Sequence, residues 1–221
     1  EIRRRDWSSD VCSSDLLKKK FGLPIFNPLL ISIAVVIVFL AVFDIDYQNY
    51  NDGAKYLSYL LTPATVCLAI PLYEQMEALK KNIKAILAGI LSGVLTSLTV
   101  VLALALIFNL NHKMYVTLLP KSITTAIGMG VSEELGGAVT ITVAVIIITG
   151  VLGNMLAETL CKLFHIEEPI AKGISIGSAS HAIGTAKAME MGDVEGAMSS
   201  LSIAVAGILT VVGASIYAMF I

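Results

Sequence analysis

Two stretches of the chain place hydroxyls, glycines and an ionisable side chain inside otherwise apolar sequence: "KSITTAIGMG", Lys121–Gly130, and "SASHAIGTA", Ser178–Ala186. They share the pattern S-x-S/T-x-A-I-G-x-G/A-x-x-x-E-x-G, which runs from Ser122 to Gly136 and again from Ser178 to Gly192. Ser122, Thr124 and Thr125 in one copy, and Ser178, Ser180 and Thr185 in the other, are neutral hydrogen-bond donors. Gly128 and Gly184 hold the same place in the two copies and let backbone approach a ligand or a second helix closely. A helix broken at such a phrase exposes backbone N–H groups that carry partial positive charge, and together with the hydroxyls these suit a carboxylate. The expected binding site for a small organic anion is therefore Lys121, Ser122, Thr124, Thr125, Gly128, Ser178, Ser180, His181, Gly184 and Thr185.

Each of these residues also has a plainer use. Any one of the hydroxyls of Ser122, Thr124 and Thr125 can bond its own backbone. Lys121 adds cationic attraction for an anion, or else snorkels to an interface. His181 stands where the first copy has Thr125. An ionisable group in an apolar segment is expensive and reads by default as functional, so His181 is a candidate for proton coupling. The alternative is a neutral imidazole bonding the facing hydroxyls of the other copy. Glu134 and Glu190, matched in the repeat, are proton or ion coupling candidates, or helix caps. For "GILSG", Gly89–Gly93, the expectation is helix packing of the small-xxx-small kind and nothing more.

Nothing in the chain competes as a catalytic constellation. There is no G-x-S-x-G elbow, no HExxH and no phosphate loop. Ser178 with His181 lacks an acidic partner to orient the imidazole. The expectation is a protein that is not an enzyme and needs no cofactor and no metal. Cysteines at 12, 67 and 161 form neither a disulfide framework nor a zinc pattern. No basic patch interleaved with aromatics is present, so no nucleic acid is expected as a partner.

The elements that must position these phrases are membrane helices. The 221 residues are 56% hydrophobic and 14% charged, with mean hydropathy +0.83. A soluble domain carries about a quarter charged residues, so the expected solvent is the lipid bilayer. Spanning it takes ~20 apolar residues, and charge-free windows supply Phe21–Phe43, Ala85–Asn111, Leu135–Ala157 and Gly196–Ile221. Tyr56–Tyr73 is long enough to span but carries Pro63 and Pro71, and Pro120 precedes the first phrase; each proline marks a helix break. The short polar phrases cannot face lipid as irregular backbone, and belong in the protein interior or along a wet cavity.

Lys18, Lys19 and Lys20, and then Lys80, Lys81 and Lys84, flank an acidic loop, "DIDYQNYND", which places both lysine clusters in the cytoplasm. In the second half Lys162 and Lys172 share a loop with Glu167 and Glu168, and charge leaves the orientation open. Only one full span separates the two phrases. If each phrase is a hairpin, that span delivers the second copy inverted, an arrangement that marks the midplane site of secondary transporters. The fold expected is all-α: a polytopic membrane protein with an inverted repeat and two broken or re-entrant segments, whose phrases meet near the midplane.

Residues Asp6–Leu16, "DWSSDVCSSDL", match the in-frame translation of a sequencing-library adapter. Residues 1–16 are accordingly expected to be artefactual and unstructured, and 17–221 to form the membrane domain.

The stretches "LLPKSITTAIGMGVSEELGG", Leu118–Gly137, and "AKGISIGSASHAIGTAKAMEMGDVEGAMSSL", Ala171–Leu201, with "LTPATVCLAIPLYEQ", Leu61–Gln75, resemble the LrgB/CidB family of bacterial inner-membrane proteins. Relatives of that family include the C-terminal half of the plastid glycolate/glycerate translocator. The resemblance implies multi-pass residence in the cytoplasmic membrane and one further N-terminal span, here replaced by the adapter-like residues. It implies either transport of small monocarboxylates such as glycolate, glycerate or pyruvate, or holin/antiholin-like control of murein hydrolases. In both readings a small LrgA/CidA-type membrane protein is the implied partner, and a homo-oligomer is compatible with either. Duplicated broken segments with matched polar residues favour the transporter, since a lesion-forming holin has no need of them.

Overall fold

The computed structural model describes residues 28–59, 63, 66, 67 and 69–221. Among them all regular structure is helical. The chain divides into two units, Glu1–Thr65 and Val66–Ile221, and each is taken by itself.

In the first unit, α1 (Pro28–Val42) covers the described part of the expected Phe21–Phe43 span, and α2 (Tyr47–Ser58) follows it. The adapter-like Asp6–Leu16 and the lysines at 18–20 lie outside the described residues. So does most of the Pro63 neighbourhood. Pro71 falls in α3 (Ala69–Glu74) of the second unit, within the first helical turn, where a missing N–H removes no intrahelical bond.

The second unit is built on three helices long and apolar enough to cross a membrane: α4 (Met76–Ile107), α7 (Val139–Leu163), and α9 (Asp193–Tyr217) with its short 3-10 extension Ala218–Phe220. α4 begins earlier than the charge-free window from Ala85, because the Lys- and Glu-containing residues before it are good helix formers and continue the same helix.

α4 shows how one apolar helix serves three environments. Ile86, Ile90, Val94, Leu98, Val101 and Ala105 form a buried stripe. Leu87, Leu91 and Leu95, one position on, are exposed in a parallel stripe that suits lipid. Small and hydroxylated residues, Gly89, Gly93, Thr96 and Ser97, fill the third face. The 3.6-residue period keeps the three apart.

Between the spans lie two helical hairpins. The first is α5 (His112–Leu118), a non-helical turn over 119–124, and α6 (Thr125–Glu134). Its two ends meet at the start of α7: the Ala138 N–H donates to Thr117 Oγ1 at 2.8 Å, and the Thr142 hydroxyl lies 2.9 Å from the Thr117 carbonyl and 2.7 Å from the Ser132 hydroxyl. The Tyr115 hydroxyl donates to the carbonyl of Tyr217 at 2.9 Å, so α9 ends on this side too.

The second hairpin is α8 (Pro169–Met191), which is broken at His181, where φ is 43° and ψ −143°. In a straight helix Ile176 and Ala188 would stand about 18 Å apart. Here they share one apolar cluster with Ala157 and Met191, so the arm after His181 folds back on the arm before it. The base of this hairpin sits at the other end of the unit. Lys187 pairs with Glu158 in the last third of α7 at 3.3 Å, and Gly173 packs on the backbone of Glu195 in the first turn of α9.

The two hairpins therefore enter from opposite ends, with α4 and α9 running one way and α7 the other. This is the expected inverted repeat with its two broken segments. The breaks also fall at matching places in the shared phrase, since α6 starts at Thr125 and the second break is at the equivalent His181. The glycines of the phrase are not the hinges. Gly128 and Gly184 are both helical, and their service is close packing.

Candidate functional site

The two hairpin tips meet on Ile146 in the body of α7. A carbonyl oxygen can only accept, so the 3.0 Å contact between His181 Nε2 and the Ile146 carbonyl has the imidazole N–H as donor. A non-glycine residue with the His181 backbone angles costs about 1–3 kcal/mol; the ring's hydrogen bond and the bond from Thr185 Oγ1 to the His181 carbonyl at 2.9 Å hold it there. Gly150 makes room for the ring, because a Cβ there would stand 2.8 Å from His181 Cε1. From the other side, Gly128 of the first tip lies against the Ile146 side chain and the Pro120 carbonyl.

Beside this junction lies a cavity of about 960 Å³. Its walls are the third face of α4, the first arm of α8, Thr149 and Gly153 of α7, and Lys121 and Ser122 of the first tip. Its lining runs from Asn82 and Glu168, at the end where α8 has its base, inward to Lys121 and Val100. Neither α5, α6 nor α9 contributes to the lining.

The hydrogen bonds of the lining residues decide what the cavity can hold. Ser92, Ser175 and Ser178 spend their protons on the carbonyls of Gly89, Lys172 and Ile174. The Lys121 ammonium donates to Ser122 Oγ at 3.0 Å, and Ser122 Oγ is also 3.0 Å from Ser97 Oγ. Lys121 has three N–H donors, so two remain for the cavity. Among the described residues it takes part in no ion pair. Thr96, Thr149 and Ser180 line the cavity with hydroxyls that have no acceptor among the described residues. Ser180 is 3% exposed, seated where a Cβ on Gly153 would collide with it. The surplus is thus the Lys121 ammonium and several neutral donors, and among the described residues of the lining Glu168, at its outer end, is the carboxylate. Such a surplus suits a small anion.

Of the residues expected from the sequence, the cavity brings together Lys121, Ser122, Ser178 and Ser180. Thr124, Thr125, Gly128, His181, Gly184 and Thr185 lie outside its lining. Thr124 precedes α6 without a side-chain cap, and Thr125 is half-buried. Gly184 packs beneath Ser180, and Thr185 bonds Ser199 at 2.7 Å. His181 bonds a backbone carbonyl of α7 and not the hydroxyls of the first copy. Glu134 and Glu190 are both exposed, Glu190 holding Lys187 at 3.1 Å. Pro120 is buried in the turn of the first hairpin.

Gly89 and Gly93 do pack as expected, on Ile174 and on Ser178. They also belong to the cavity wall, together with Ser92, Thr96 and Ser97, and so do Thr149 and Gly153 of α7. The sequence carried one signal for these residues: hydroxyls and glycines recurring every three or four positions along one face of an apolar helix.

A family model described as the LrgB-like family matches residues 12–220. Curated relatives named antiholin-like protein LrgB, from Bacillus mycoides (strain KBAB4), Bacillus cereus (strain B4264) and Bacillus anthracis (strain CDC 684 / NRRL 3495), are each 39% identical over 206 residues, covering 93% of this chain and 90% of the relative. No solved structure matches.

Proposed function

The chain belongs to the LrgB-like family of membrane proteins, and from that premise we propose that it carries small monocarboxylates of the glycolate, glycerate or pyruvate class across the bacterial cytoplasmic membrane. The observation that supports this most is the Lys121 ammonium, which takes part in no ion pair among the described residues and is set among unspent hydroxyls in the cavity beside the hairpin tips. A cation at such depth is costly without a counter-charge, and a bound carboxylate supplies one. Ser180 and Thr149 add neutral donors to the same lining. A small LrgA/CidA-type membrane protein is the proposed partner.

A second reading rests on the relatives' shared name. An antiholin-like protein would regulate murein hydrolase activity and lysis without carrying anything. The two readings separate in proteoliposomes holding the purified full-length chain, with and without the partner. A carrier takes up labelled glycolate saturably, discriminates among acids and shows counterflow. Lys121→Ala then weakens apparent affinity by about ten- to a hundredfold, the value of a charge-assisted hydrogen bond. Non-saturable leakage of solutes of many sizes, or uptake indifferent to Lys121→Ala, sinks the carrier reading.

A further inference from the structure

We infer that Ser97, on the cavity face of α4, is a positioning residue for Lys121, acting through Ser122; the inference rests on the carrier reading only for its effect on substrate affinity. Lys121 lies in the non-helical turn 119–124, whose one backbone bond at this residue runs from its N–H to the Leu118 carbonyl at 3.2 Å. Helical backbone does not fix the direction of its long side chain. Its ammonium is held by Ser122 Oγ at 3.0 Å, and Ser122 Oγ is in turn 3.0 Å from Ser97 Oγ.

The proton bookkeeping orders this chain. An ammonium only donates, so Ser122 Oγ accepts from Lys121. The hydroxyl proton of Ser122 is then free to go to Ser97 Oγ. Ser97 has no other hydrogen bond among the described residues; its hydroxyl is not turned back to a carbonyl of its own helix, as that of Ser92 is. It stands near the middle of the charge-free window Ala85–Asn111, on a helix whose other face is locked into the core by Val94, Leu98 and Val101. A rigid span thereby aims a cation carried by an irregular turn.

Three variants test this in the full chain: Ser97→Ala, Ser97→Thr and Ser97→Ala combined with Lys121→Ala. In proteoliposomes Ser97→Ala should raise the KM for glycolate about three- to tenfold, with maximal uptake rate and membrane abundance unchanged. Ser97→Thr, which keeps the hydroxyl, should restore the parent KM. In the Lys121→Ala background Ser97→Ala should have no further effect, since the residue it positions is gone. An equal KM effect in both backgrounds assigns Ser97 a packing role and overturns the proposal.

A readout independent of transport keeps the two readings distinguishable. Modification of Lys121 by a small amine-reactive sulfonate, mapped by mass spectrometry with Lys113 as internal reference, should change about threefold or more in Ser97→Ala and return in Ser97→Thr. An unchanged rate overturns the positioning role whether or not the protein carries acids. A changed rate in a protein without saturable uptake upholds it and removes the carrier reading alone.

Discussion

His181 Nε2 donates to the Ile146 carbonyl at 3.0 Å while the Ile146 side chain lies against Gly128 of the opposite hairpin. One residue of α7 thus touches both tips of the inverted repeat. The imidazole acts here as a brace between the second tip and the span.

The backbone at His181 gives a test whose sign is unusual. In an ordinary helix, replacing Ala by Gly costs about 1 kcal/mol. At φ 43° and ψ −143° the order reverses, because glycine adopts those angles without a Cβ penalty. Thermal unfolding in detergent should therefore find His181→Gly more stable than His181→Ala by about 1 kcal/mol. The usual order, with Ala the more stable, would mean the break is elsewhere. His181→Gln retains a donor and should keep the parent's uptake and pH profile. A folded Gln variant without pH dependence would return the proton to His181.

Gly153 has no tolerance for a methyl group. A Cβ there collides with the Ser180 side chain, whereas one on Gly130 in α6 meets nothing within 4 Å. Gly153→Ala should lower stability by about 1–3 kcal/mol and weaken glycolate uptake as Ser180 is pushed away. Gly130→Ala should be neutral or stabilising by up to ~1 kcal/mol. Equal behaviour of the two variants in uptake and melting assays would remove Ser180 from the site.

Folding sorts the lysines by end of the unit, which charge along the chain does not do. The α4 face bearing Gly89 and Gly93 runs alongside Ile174 and Ser178, so the start of α4 and the base of α8 share an end. Lys80, Lys81, Lys84, Lys162, Lys172 and Lys187 gather there, and among the described residues of this unit the opposite end has Lys113. The cation-rich end is expected in the cytoplasm. Single cysteines at 162 and 113, in a chain whose native cysteines are replaced, should react with an impermeant maleimide from the inside and the outside respectively. The reverse pattern would invert the protein.

What the sequence made legible was whatever repeats or is long. The doubled phrase announced two matched breaks, and the charge-free windows announced the three long helices of the second unit within a few residues at most ends. The site was half legible. Lys121, Ser122, Ser178 and Ser180 stand in the phrases, but Ser97, Thr149 and Gly153 sit in spans where a hydroxyl or glycine on the cavity side looks the same as one that packs. Their meaning depends on which face α4 and α7 turn inward, and that is set by packing among five segments. Nor does sequence foretell that the second break falls on a histidine while Gly184, three residues on, stays helical. The turn is imposed by the Ile146 carbonyl and by the space over Gly150, both distant in the chain.

The cavity's one-sided lining has an electrical consequence. It reaches from Asn82 and Glu168 to Lys121 and Val100, and takes no residue from α5 or α6. The Lys121 ammonium and the hydroxyls beside it favour water in an otherwise largely apolar lining, and with the cation-rich end in the cytoplasm, as expected above, that water brings the cytoplasmic potential to Lys121. The membrane voltage then falls across the remainder of the span, from the level of Ser97 to the end of α4, about 15 Å of helix. Moving one charge through the full membrane voltage is worth about 2.3 kcal/mol per 100 mV. An acid binding from the cytoplasm would feel almost none of that, and one crossing the remaining stretch would feel nearly all. Glycolate affinity measured from the cytoplasmic face should be insensitive to an imposed potential, while translocation rate is steeply sensitive unless a compensating cation travels too. A cytoplasmic affinity that tracks voltage would place the barrier below Lys121.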